Sequence, residues 1–318
     1  MELRLQWFCA LGRAVPGARL LYTKPMAGVS VGPPGPPLGG GGGKETGRGG
    51  GRGWKRRVGR AAAASAACVA VARRAGAEGR AFARGNEVAK PPFSLSKDVS
   101  GARKKAMAAK APEAFGTGAD LVDVENMLHP TCATQIQVDL RYAGRFNFLG
   151  LPLYDGERAL LRREAAEGLL SAHADLVQNH NVGIKIWDAY RPWHVSHMFY
   201  TLADPSAHGV YVANAELKGS KHNRGLAVDI TLFDVTSGAE ILMQSAFDDF
   251  GEAGRSDYSM CTDDQIKLRE TMQAAMKKAN FKGIDSEWWH WDYQTTESNP
   301  PLLNVTLLQG EALARKNS

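Results

Sequence analysis

The chain has 318 residues, a formal net charge of +6 and a sequence pI of about 9.1. That charge is uneven: residues 1–110 hold 21 Lys and Arg against 5 Asp and Glu, and the remainder holds 18 against 28. The basic pI therefore belongs to the N-terminal third and gives no ground for nucleic-acid binding by the rest. No apolar run approaches the ~18–20 residues that a membrane-spanning helix needs, so a soluble protein is expected. Cys9, Cys68, Cys132 and Cys261 lie far apart, which excludes a Cys-x-x-Cys zinc site and a disulfide framework.

Residues 1–118 read as a disordered Gly/Ala/Arg-rich extension. Gly35 to Gly53 is mostly glycine, with Pro33, Pro34, Pro36 and Pro37 beside it, and offers little apolar surface to offset its backbone entropy. The Arg48–Arg57 stretch has the look of an RGG segment, and a solvated basic linker explains it equally well. The extension is rich in Arg and Ala and poor in acids, which fits an organellar targeting sequence. An extension without function, or a misassigned start, fits as well; without targeting the expected compartment is the cytoplasm. A boundary is expected between Gly116 and Asp120, where acidic and apolar residues begin to alternate, giving a body over 119–318.

In the body, Ile136, Val138 and Leu140 alternate with polar neighbours in Gln135–Tyr142, the period of a half-buried strand. Gly156 to about Gln178 spaces Leu160, Leu161, Leu169, Leu170, Ala174 and Val177 as one helical face. His173 on that helix reads as a surface or boundary residue. Val182–Trp187 is a short buried strand running into Asp188-Ala-Tyr-Arg191-Pro192, and Pro192 can open a helix over Trp193–Leu202. Arg191 sits at that junction, free either to pair with Asp188 or to serve a site. His194 and His197 are explained by the helix that carries them. Ala227–Leu232 is a strand that turns Val228, Ile230 and Leu232 to the core, leaving Asp229 on the opposite face. Thr262-Asp-Asp-Gln265 is a capping box opening a helix through Ala279, and Glu287–Tyr293 is β-prone and aromatic.

Two stretches carry chemistry: Ser220-Lys-His-Asn-Arg-Gly-Leu-Ala-Val-Asp229 and Glu287-Trp-Trp-His290. His222, Asp229 and His290 offer two imidazoles and a carboxylate, a catalytic zinc set that leaves one position for water. Bound water reaches a pKa of about 7. Glu287, not needed by the metal, suits a general base, and Arg191 is the available cation for an oxyanion. The same two His and one Asp fit a non-haem Fe(II) triad, which has no use for Glu287. On a regular strand Glu287 and His290 face opposite sides, so both reach one site only if Glu287 lies in a turn or a bulge intervenes.

With W-D-x-Y-R-P at Trp187–Pro192, S-x-H-x-x-G-x-A-x-D at Ser220–Asp229 and E-W-W-H at Glu287–His290, the chain resembles the VanX-type D-alanyl-D-alanine dipeptidases. Weaker matches are Y-A…N-F at Tyr142–Phe148 and F-D at Phe247-Asp248. The likeness covers Asp139–Tyr293 and none of the N-terminal extension. It implies an α+β fold, an antiparallel sheet flanked by helices, shared with D-Ala-D-Ala carboxypeptidases and the hedgehog domain. It implies one Zn²⁺ per subunit on His222, Asp229 and His290, with Glu287 as base and Arg191 stabilising the tetrahedral intermediate. It also implies that Tyr142 and Asp248 hold the ammonium of a small D,D-dipeptide, and that Ser220 lines the site near its carboxylate. Lys221, where the family has a small polar residue, and Trp291-Asp292 depart from the pattern. Rival readings are a D,D-carboxypeptidase on peptidoglycan stem peptides, marked by an open groove, and a zinc-binding module without catalysis.

Overall fold

The computed structural model describes residues 90–317. The main sheet is built on two strands buried along nearly their whole length, β4 (Val182–Asp188) and β5 (Ala227–Asp234), paired antiparallel. Their β-branched and aromatic content suits a strand covered on both faces. β2 (Gln137–Val138) flanks β4; β7 (Glu287–Tyr293) and then β6 (Phe281–Ile284) continue the sheet beyond β5, in the order β2-β4-β5-β7-β6. β2 runs parallel to β4, so the sheet is mixed and not wholly antiparallel as expected. The chain returns from β2 to β4 through a helix, the connection that a parallel pair requires.

Among the described residues five helices surround this sheet: α1 (Val99–Ala108), α2 (Arg163–His180), α3 (Trp193–Leu202), α4 (Asp263–Lys278) and α5 (Leu307–Asn317). α2 and α4 pack on each other and reach β4 and β6, burying Leu169 and Leu176 from α2 and Leu268, Met272 and Met276 from α4. The Thr262 capping box forms as expected: the Thr262 side chain accepts from Gln265 N, and Gln265 returns the bond. The α+β class holds.

Several local expectations differ. Leu160 and Leu161 are not on a helix: Leu160–Arg162 is β3, paired with β1 (Leu121–Asp123) in a small antiparallel sheet covered by α5. Three consecutive fully covered residues fit an enclosed strand better than one helical face. The strand over Gln135–Tyr142 shortens to β2, although Asp139 N and Arg141 N still donate to Ile186 O and Trp187 O. His173 is fully buried, not superficial. Its Nδ1 accepts from Ile184 N at 3.0 Å and its Nε2 faces Thr134 O at 3.0 Å, so it ties α2 to β4 as a polar core residue.

The packed body also begins earlier than the 116–120 boundary. α1 packs on α3, burying Ala102 and Ala106, and Gly116 bridges to Leu303. The expectations for residues 1–89, including the Gly-rich stretch, the RGG-like segment, Cys9 and Cys68, lie outside the described residues. Cys132 and Cys261 are free thiols, and no helix among the described residues is long and apolar enough to cross a membrane.

Candidate metal centre

Two β-bulges and a short turn converge at one end of β5. Asp229 lies directly opposite His290 in the β5–β7 ladder. A register shift in β4 between Ile186 and Asp188 brings Asp188 opposite Asp229 as well. On the other side of β7, Gly283 pairs with Trp291 while its neighbour Ile284 pairs with Glu287, so Trp288–His290 bulge out of the ladder. This is the irregularity that the three-residue spacing of Glu287 and His290 demanded. Both side chains reach the same cavity, and Trp288 and Trp289 are both buried beside it.

His222 comes from a single 3-10 turn, Lys221–Arg224. Ser220 caps it: its hydroxyl accepts from His222 N at 3.2 Å, while Ser220 N donates to Asn223 Oδ1 at 2.8 Å. Gly225 closes the turn at φ +67, where a side chain would be strained. Asn223 then donates to Arg191 O and to Ser196 Oγ, both at 2.8 Å, locking the turn to the start of α3.

The three donor atoms face one another. His222 Nε2 lies 3.1 Å from His290 Nδ1, His290 Nδ1 lies 2.9 Å from Asp229 Oδ1, and His222 Nε2 lies 3.3 Å from Asp229 Oδ1. Ligands at about 2.0–2.1 Å from a tetrahedral zinc stand about 3.3 Å from one another. The outer contacts fix the tautomers. His222 Nδ1 faces Ala189 O at 2.7 Å and His290 Nε2 faces Asp292 Oδ1 at 3.0 Å, so each of these nitrogens carries the proton. The two remaining nitrogen lone pairs and a carboxylate oxygen then point at one spot, which only a cation or a proton reconciles. The residues fit a metal.

The electrostatics agree. Burial works against ionisation of Asp229, yet the His222 and His290 imidazoles hold its carboxyl well below the ordinary range. Burial likewise opposes charge on His290, but its bonds to Asp229 and Asp292 raise its pKa well above 6.5. In both cases a proton does the job of a cation.

Arg191 satisfies both readings of it. Its Nε and Nη2 donate to Asp188 Oδ2 at 2.9 and 2.6 Å, and Nη2 lies 3.8 Å from Asp229 Oδ2. The guanidinium also stands over the Phe199 and Tyr142 rings at 4.7 and 5.0 Å and lines the cavity. Tyr154 donates to the other Asp188 oxygen at 2.5 Å. Further along the wall, Tyr142 donates to Asp248 Oδ1 at 3.0 Å, and Phe148 N donates to Asp248 Oδ2 at 3.0 Å. Burial pushes the Asp248 carboxyl well up, Asp229 and Glu287 push it further, and the Phe148 and Tyr142 bonds oppose them. Glu287 is half-buried, and burial raises its carboxyl; Asp229 adds to this, while His290, His222 and Arg191 pull it back.

All eight residues singled out in the sequence, including Ser220, thus line one cavity of about 650 Å³. A family model described as D-Ala-D-Ala dipeptidase (Peptidase_M15) matches residues 117–307. The chain belongs to this family of metallopeptidases. It is 31% identical over 168 residues to the D-alanyl-D-alanine dipeptidase of Escherichia coli, an alignment that spans 52% of this chain and 83% of that protein. The dipeptidases of Enterococcus faecium and Enterococcus faecalis are 28% and 27% identical, over 49% and 53% of this chain and 85% and 88% of theirs.

Within this family framework, sequence reasoning noted Asp292 only as a departure from the pattern, missing its bond to His290, and overlooked Tyr154. The signal for Asp292 was present: it lies two residues beyond His290 on a strand, hence on the same face. Tyr154 carried no signal, because it reaches Asp188 from a loop.

Proposed function

We propose that this chain is a zinc dipeptidase that hydrolyses D-alanyl-D-alanine, or a closely related D,D-dipeptide, to free amino acids. The observation that carries the reading is the set of three lone pairs from His222, Asp229 and His290 aimed at one point in the cavity that Glu287 also lines. Two imidazoles and a carboxylate, backed by Ala189 O and Asp292, match the ligand sets of catalytic zinc. Zinc bound there would bring the pKa of a water to about 7 and polarise the scissile carbonyl.

The chain's own groups do the rest. Glu287 takes the proton of the attacking water on a carboxylate oxygen and hands it to the departing amide nitrogen. Its raised pKa suits both halves of that transfer. Arg191, held by Asp188 through Nε and Nη2, turns its remaining edge to the carbonyl oxygen as charge develops there. Asp248, paired with Tyr142, receives the substrate's ammonium, and that positive charge offsets the burial that raises the free carboxyl. Ser220 stands near the substrate's carboxylate. The hydrolytic domain runs over 119–318, with residues 90–118 packed on it.

One observation keeps the carboxypeptidase reading in play. A cavity of about 650 Å³ is roomier than two alanines require and lies within the ~300–1,000 Å³ of larger ligands. A zinc module without catalysis, as in hedgehog-like domains, has no use for Glu287 and Arg191 at one metal centre. The test is the zinc-loaded chain on D-Ala-D-Ala, L-Ala-L-Ala and a stem pentapeptide ending in D-Ala-D-Ala, beside Glu287→Gln. We expect turnover of D-Ala-D-Ala alone, with kcat in Glu287→Gln lower by about 10²–10⁴ and zinc content unchanged. Bound zinc without hydrolysis of any of the three would refute the enzyme; faster cleavage of the pentapeptide would make it a carboxypeptidase.

A further inference from the structure

The family match begins at residue 117, yet a segment well before it braces the wall of the catalytic cavity. Asp204 N donates to Ser94 O at 2.9 Å, Ser96 N donates to Leu202 O at 2.7 Å, and Leu95 bridges antiparallel to Ala203. Residues 94–96 are thereby strapped along the end of α3. At the head of the strap stands Phe93, half-buried, with ring centroids 5.7 Å from Tyr211, 5.8 Å from Phe250 and 6.1 Å from Phe148. Tyr211, Phe250 and Phe148 all line the cavity.

Two of these rings belong to residues that grip Asp248. Phe148 N donates to the Asp248 carboxylate at 3.0 Å, and Phe250 N donates to Asp248 O at 3.1 Å. Asp248 itself sits at φ +60, a conformation that strains a non-glycine residue and persists only where the surroundings impose it. The surroundings here are aromatic. Phe148 and Phe250 meet edge to face at 5.6 Å, and Phe148 meets Tyr142, the other partner of the carboxylate, at 6.4 Å. Phe93 closes this cluster from outside.

We propose that Phe93 is a positioning residue for substrate binding: it completes the aromatic cage that fixes Asp248, and so sets the affinity for the free amino end of the dipeptide. The proposal rests on reading Asp248 as the ammonium's partner. Removing the Phe93 ring leaves Phe148 and Phe250 free to relax outward, and the Asp248 carboxylate held by Phe148 N, on a backbone held by Phe250 N, loses its fixed aim. Phe93 touches neither the metal ligands nor Glu287, so the effect falls on binding that ground state and transition state share. That signature is a raised KM at constant kcat.

The test uses the zinc-loaded full chain as wild type, Phe93→Ala, Phe93→Leu and Asp248→Asn. D-Ala-D-Ala is the substrate, and N-propionyl-D-alanine, the same skeleton without the ammonium, is the competing ligand. Phe93→Ala is expected to raise KM about tenfold, the scale of one weakened charge-assisted bond, with kcat and the competitor's Ki within about twofold. Phe93→Leu, which refills most of the volume, should recover most of the loss. Equal rises in KM and Ki would mean general loosening of the fold and overturn the proposal, as would an unchanged KM. Asp248→Asn separates the two claims. If it raises KM selectively and Phe93→Ala does not, the positioning role alone falls. If Asp248→Asn shifts KM and Ki alike, the ammonium reading itself fails.

Discussion

Asp292→Asn tests whether the metal centre is tuned from outside its ligand set. Asp292 Oδ1 accepts from His290 Nε2 at 3.0 Å, and the imidazole's other nitrogen faces the metal position. Asparagine keeps an oxygen in place and removes only the charge. A hydrogen bond to a charged group contributes about 1.5–3 kcal/mol and a neutral one about 0.5–1.5, so the loss is of order 1–1.5 kcal/mol. The Asp292 side chain is only 24% exposed, so water screening trims little from that range. That corresponds to roughly tenfold weaker zinc binding, the low end of the 10–100-fold typical of such outer contacts. The assay is zinc affinity by competition with a chromophoric chelator, with kcat measured at saturating zinc. We expect a tenfold weaker Kd with kcat nearly unchanged. An unchanged Kd would refute the tuning, and a loss beyond about a thousandfold would make Asp292 a ligand.

Other outcomes follow from the same geometry. Without metal, the Asp229 and Asp292 bonds raise the His290 pKa well above its ordinary value despite burial, so zinc must displace a proton; zinc affinity should rise with pH through neutrality, read by the same competition. His173 is the opposite case: burial lowers its pKa below 6.5, so the folded chain prefers it neutral. Its contribution to stability is complete above about pH 6.5 and is lost as pH falls below that, because the unfolded chain then binds more protons. His173→Leu should remove that acid-side loss in urea titrations. It should also cost about 1–3 kcal/mol at pH 8, because it leaves Ile184 N–H without its acceptor. Gly225→Ala should cost about 1–2 kcal/mol for the φ of +67, and more because its Cβ would lie 3.0 Å from Leu121 Cδ2 and 3.2 Å from Arg162 N. Since Gly225 closes the His222 turn, zinc affinity should fall in the same variant.

What the sequence disclosed and what it hid divide along a physical line. Strand alternation put Asp229 on the face away from Val228, Ile230 and Leu232, and the capping box located α4, because both are local rules that tertiary packing had no reason to override. The same alternation, applied to Glu287 and His290, said that a regular strand could not serve the site. The bulge at Trp288–His290 is the resolution, and it follows that β7 departs from regularity where chemistry requires it. Leu160 and Leu161 failed for the converse reason: a short apolar run has no decisive period, and its pairing with β1 is set some forty residues away. The boundary near 116–120 coincides with the start of the family match at residue 117, but composition hid the helix that packs on the body before it. Arg103, Lys104 and Lys105 lie on the exposed side of α1, while Ala102 and Ala106 bury the other. A basic, alanine-rich stretch can be one face of a packed helix, and composition averages the two faces into something that reads as a tail. Phe93 lay inside that misread stretch, so its reach toward Asp248 is visible only once the chain before residue 117 is counted as part of the catalytic body.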